Sequence, residues 1–128
     1  MQVLVAFALG VARLDVDEAT WELVDDDVEA APREEVGLPL VVATARCGAR
    51  IVALLDRRPP LAISDDGGAT WSEAGSGLPA GVALAISSDH PDDLVYASHA
   101  RLFVSRDGGR FWSALPPELE GITAVAVV

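Results

Sequence analysis

Ser64–Trp71 reads SDDGGATW, and Ser105–Trp112 reads SRDGGRFW. The two octapeptides share the pattern Ser-x-Asp-x-Gly-x-(Thr or Phe)-Trp and stand 41 positions apart (105 − 64). A motif returning at that interval signals a repeat architecture. Each octapeptide reads as a hairpin between two strands. Gly68 and Gly109 can take a positive φ without steric cost. Asp66 and Asp107 can accept backbone N–H bonds inside the turn, with Ser64 and Ser105 assisting. Thr70-Trp71 and Phe111-Trp112 lead into the outgoing strand, where the indole can fill the space between neighbouring sheets.

The similarity extends upstream. RLFVSRDGG parallels PLAISDDGG, DLVYASHA parallels ARIVALLD, and GVALAISS parallels LPLVVATA. Each unit therefore reads as four short strands with turns between them, the content of one propeller blade. A worn third copy lies in VARLDVDEATWELV, where Thr20-Trp21 align with Thr70-Trp71 and Asp17-Glu18 stand at the places of the glycines. Trp21 and Trp71 are 50 residues apart (71 − 21), so that interval carries nine extra residues (50 − 41). The charged, Pro-containing stretch Asp25–Gly37 is where they fit.

These octapeptides resemble the Asp-box, or BNR, repeat found in sialidases, in sortilin-type receptors and in other propeller proteins. The phrase GVALAISSDHPDDLVYASHARLFVSRDGGRFW is similar to a whole blade of that family. The resemblance implies an all-β propeller in which the Asp box is a structural turn on the rim, away from any active site. Residues 1–24 then supply three strands of a first blade, 36–75 a second blade, 81–115 a third, and 121–128 an innermost strand that completes the first.

Propellers have four to eight blades, and three are too few to close a ring. An open stack would expose apolar sheet faces. The strand count predicts a homodimer, two chains forming a six-bladed ring and each lending Ile122–Val128 to the other's first blade.

The composition narrows the partners. The net charge is −11, the nine basic residues are all arginine, and the pI is about 4.3. Such a surface does not supply the basic footprint of a nucleic-acid or anionic-membrane binder. The apolar start, MQVLVAFALG, lacks a positive n-region and is too short to span a bilayer, so it reads as a strand in a cytoplasmic protein. Cys47 is the only cysteine, and it lies between Arg46 and Arg50 in a strand-linking loop. His90 and His99 form no zinc-type spacing, and DVDEA and SSDHPDD lack the alternating ligands of a calcium loop. No cofactor or metal is expected.

A sialidase resemblance would require an arginine triad, a tyrosine nucleophile paired with glutamate, and an acid aspartate. Tyr96 is the only tyrosine and sits in a strand, and the Arg-Ile-Pro segment of those enzymes is absent. No residue is carried over as catalytic. The remaining constellation is a set of loops expected at one end of the blades, Gly10–Arg13, Asp56–Pro60 and Ser98–Arg101. They bring Arg13, Arg57, Arg58, His99 and Arg101 as candidate anion ligands, because guanidinium groups clamp carboxylate or phosphate bidentately. The expected function is a non-catalytic binding or scaffold module for an anionic small molecule or a protein segment. A sialidase-like hydrolase or a sugar-binding lectin is the alternative.

Overall fold

The computed structural model describes residues 1–128. It contains twelve strands and no helix, hence no helix long and apolar enough to cross a membrane. The strands form three four-stranded antiparallel sheets. The first joins β1 (Gln2–Phe7), β2 (Gly10–Asp15) and β3 (Thr20–Val24) to β12 (Ala124–Val127), in the order β12-β1-β2-β3. The second is β4 (Val41–Cys47), β5 (Arg50–Leu55), β6 (Leu61–Ser64) and β7 (Ser72–Ala74). The third is β8 (Ala83–Ile86), β9 (Leu94–Ala97), β10 (Arg101–Ser105) and β11 (Ser113–Glu118). All three are blade-like meanders.

Burial follows position in each sheet. LVYA of β9 and LAIS of β6 are buried throughout, because these strands have sheet partners on both sides and packing on both faces. Such strands read as continuous apolar runs. β3, β7 and β11 form outer edges and are largely exposed. Pro116 and Pro117 fit the edge strand β11, where they fall opposite the break in the β10–β11 register between Arg101 and Phe103.

The third sheet lies in the middle of the stack. One of its faces, with Tyr96, Phe103 and Trp112, packs on Val52, Leu54, Leu61 and Ile63 of the second sheet. Its other face, with Val95, Ala97, Leu102 and Val104, packs on Val3, Val5, Ala12, Leu14 and Val125 of the first. β8 runs beside both β4 and β12. The outward face of the second sheet is not bare. A strap, residues 25–40, crosses it and lays Val36 and Leu38 over Ala53, Leu55, Ala62 and Trp71. The Glu34 amide donates to Thr44 Oγ1 (2.7 Å), and Arg46 Nε reaches the Glu34 carboxylate (3.0 Å). The nine-residue insertion therefore forms a cover over an apolar face.

Two features bear on the sequence expectation. β12 pairs with β1 of its own chain, Val3 opposite Val127 through Ala6 opposite Ala124. The two ends of the chain thus share the first sheet, the strand content that residues 1–24 and 121–128 predict. The first hairpin is also tighter than the other two. Its ladder runs on to Asp15 opposite Thr20, whereas the other two stop at Ile63 opposite Ser72 and Val104 opposite Ser113. Asp15, not the Asp17-Glu18 pair, organises this shorter turn by accepting the Asp17 and Glu18 amides at 3.0 and 3.1 Å. Ala19 takes the positive φ, 55°, that glycines take elsewhere.

Candidate functional site

The two octapeptides share three side-chain bonds. Ser64 Oγ accepts the Gly68 amide (2.8 Å) and donates to Asp66 Oδ1 (2.7 Å). Ser105 Oγ accepts the Gly109 amide (2.9 Å) and donates to Asp107 Oδ1 (2.8 Å). The aspartates then accept the Thr70 and Phe111 amides at 2.9 and 3.0 Å. The Thr70 hydroxyl adds a further bond to Asp66 that Phe111 cannot supply to Asp107. These donors stabilise the ionised carboxylates. The Thr70 hydroxyl, foremost, holds the Asp66 carboxyl down at about 2, and the Phe111 amide, foremost, lowers that of Asp107.

Gly67, Gly68, Gly108 and Gly109 all have positive φ. Trp71 and Trp112 stand one residue before their outgoing strands. Trp112 donates from Nε1 to the Gly109 carbonyl (3.0 Å) and meets Tyr96 edge-on, ring centres 6.0 Å apart. Trp71 packs under the strap.

The candidate anion ligands do not form one constellation. Arg13 lies inside β2, since the first turn comes earlier than expected, at Ala8–Leu9. Its guanidinium meets Asp26 of the strap at 3.7 Å, while its buried Nε has no acceptor. Arg57 faces Glu73 (3.9 Å) and Arg101 binds Glu118 (2.7 Å). His99 contributes a backbone carbonyl to the Ile122 amide. Arg57 and Arg58 line a cavity of about 140 Å³, and Arg13 lines another of about 250 Å³. His99 and Arg101 line neither. Each of Arg13, Arg57 and Arg101 is neutralised by a carboxylate, and only Arg58 of the four arginines makes no ion pair.

The largest concavity runs from between the octapeptide hairpins along β7 to Pro59. It measures about 1050 Å³ and is bordered by Arg50, Asp65, Glu73, Asp92, Arg106, Arg110 and Trp112. Arg50 clasps two sheets together here. Its Nε binds Asp65 (2.6 Å), and its Nη1 binds Asp92 (2.7 Å) and the Pro91 carbonyl (2.9 Å). The Asp65 contact, foremost, raises the Arg50 pKa further. Arg106 makes a second clasp, to Asp17 of the first sheet (2.7 Å). Asp17 also accepts from the Met1 amino group (2.7 Å), which is the main cause of its lowered pKa. Arg110 has no ion-pair partner. Sequence reading missed this group, although a signal was present. The second and sixth positions of the octapeptide differ in charge, Asp65 against Arg106 and Ala69 against Arg110.

Tyr96 is fully buried, and its hydroxyl donates to the Pro79 carbonyl (2.6 Å). Burial pushes the phenol up to about 12, against a smaller opposing effect of Arg58. Cys47 donates its thiol to the Ser88 carbonyl (3.6 Å), while Arg46 and Arg50 point to carboxylates. No group of three or more His, Cys, Asp or Glu side chains is placed to hold a metal ion. No protein-family model matches the chain, and no curated protein matches it.

Proposed function

We propose that the chain is a non-catalytic binding or scaffold module of the Asp-box propeller type. One observation carries this reading. The five groups whose ionisation departs from the ordinary all serve the framework: Asp66 and Asp107 organise turns, Arg50 and Asp17 clasp sheets, and Tyr96 fills the core. Active sites are where perturbed acids and bases gather facing a cleft. Here the acids with lowered pKa are engaged with backbone, hydroxyl and arginine donors. The groove between the hairpins offers Arg110 as a cation without a protein partner. It suits an anionic small molecule or a carboxylate on a protein segment better than it suits bond cleavage.

The test pairs turnover with binding. Fluorogenic glycosides, sialosides included, should not be hydrolysed. Citrate and inorganic phosphate should raise the melting temperature by mass action. Arg110→Ala should remove that rise if the groove is the site, and Arg57→Ala with Arg58→Ala should do so if the loop end is. Turnover that disappears when one carboxylate is changed would refute the non-catalytic reading in favour of a hydrolase.

A further inference from the structure

The same kind of interface occurs twice in this chain. The tryptophan-bearing face of the third sheet, with Trp112, packs on the second sheet. The equivalent face of the first sheet packs on the third, and Trp21, level with Leu14, belongs to it. Each junction joins the tryptophan face of one sheet to the plain face of the next. Two faces are left over at the ends of the stack. One is the tryptophan face of the second sheet, carrying Trp71. The other is the plain face of the first, where Leu4 and Ala6 of β1 are level with Ala126 and Ala124 of β12. The leftovers are of opposite kind, as a head-to-tail contact between copies requires.

We propose that a second copy of this chain is the natural occupant of the Trp71 face, and that the strap is its intramolecular stand-in. Two copies so joined make six sheets in a closed ring, each keeping its own β12. This rests on the propeller reading for the geometry of closure, and not on the absence of catalysis. The strap has the marks of a replaceable cover. It lays two half-buried apolar side chains, Val36 and Leu38, on the sheet face, and its two ion pairs, Glu34 with Arg46 and Asp26 with Arg13, are solvent-exposed. It rejoins the sheet through Leu40, a non-glycine residue at φ 60° whose side chain is 60% exposed. That backbone state is unfavourable for an L-residue. Ala6, Ala124 and Ala126 give the opposing face a flat inner half onto which a bulkier surface can settle.

The experiment is the solution mass by light scattering, from about 10 µM to about 1 mM, since association follows mass action. The chain is 13.4 kDa, and a species of twice that mass is expected as concentration rises. Ala6→Arg with Ala126→Arg should return it to the single mass while circular dichroism stays unchanged. Should that pair fail to fold, Val24→Arg on the outer strand of the same face serves instead. Val36→Asp with Leu38→Asp weakens the cover and should tighten association about tenfold. A single-chain mass for both the natural chain and the strap variant at about 1 mM overturns the proposal. So does a dimer that survives the arginine substitutions. Either result leaves the glycoside assay, and the reading it tests, untouched.

Discussion

The hairpin closing the third sheet and the hairpin closing the first do the same job by different means. Ser105–Trp112 uses glycines at positive φ and a serine–aspartate pair that stitches the turn from within. The first hairpin spans the same eight residues, Leu14–Trp21, but its ladder runs on to Asp15 opposite Thr20, it has one organising side chain, Asp15, and it puts Ala19 at φ 55°. Its tryptophan is correspondingly less sheltered, with Trp21 46% exposed while Trp71 and Trp112 are half-buried. The motif therefore supplies an open turn, held by side-chain bonds, that lets the indole fold back over the sheet face. Where the ladder closes onto the turn instead and pairs the tryptophan, the ring lies nearer the rim.

The largest expected effect separates the two well-preserved hairpins from each other. A Cβ on Gly109 would lie 2.8 Å from Ile63 Cδ1 of the neighbouring sheet, on a backbone with φ 91°. On Gly68 its nearest neighbours would be Trp71 and Ile51, no closer than 3.6 Å, at φ 97°. Backbone strain is common to both, about 1–2 kcal/mol. Overpacking between sheets belongs to Gly109 alone and adds about 1–2 kcal/mol. Urea unfolding should rank Gly109→Ala below Gly68→Ala by that margin. Equal losses would mean that the hairpin of the third sheet is not wedged against the second.

A second test uses acid. The folded pKa of Asp66 is depressed to about 2 from an ordinary 3.8, and that of Asp107 is lowered too. A depressed carboxyl stabilises the fold above its unfolded pKa and loses that contribution as pH falls through its folded value. Unfolding free energy should thus decline from about pH 4 towards pH 2. Asp66→Asn should flatten that slope more than Asp107→Asn, because Asp66 also holds the Thr70 hydroxyl. Equal slopes in both variants would show that the hydroxyl adds nothing.

The hairpins were legible because their chemistry is local: three shared bonds within eight residues, repeated at a fixed interval. Sheet membership of the meanders was legible for the same reason. The arginine constellation was not. Placing Arg13 in a loop required the first turn to fall at Gly10, and it falls at Ala8–Leu9. The Arg50–Asp92 clasp spans 42 positions, so no window of sequence contains it. The strap could be recognised as an insertion from the lengthened interval. That it folds back over Ala53, Leu55 and Ala62 depends on which sheet face lacks a neighbour, a property of the whole stack.

The smallest effect returns to the first hairpin. Ala19 pays for its left-handed backbone, about 1 kcal/mol. Glycine would relieve that strain but would add freedom to the unfolded chain, which offsets part of the gain. Ala19→Gly should therefore stabilise the protein by about 0.5 kcal/mol, a small shift in urea midpoint at constant slope. The sign matters more than the size. A gain means that the shortened turn tolerates its alanine under strain and keeps the backbone demand of the longer motif. A loss means that the Asp15 bonds have relaxed that demand, and that the first hairpin is a different turn rather than a degraded version of the same one.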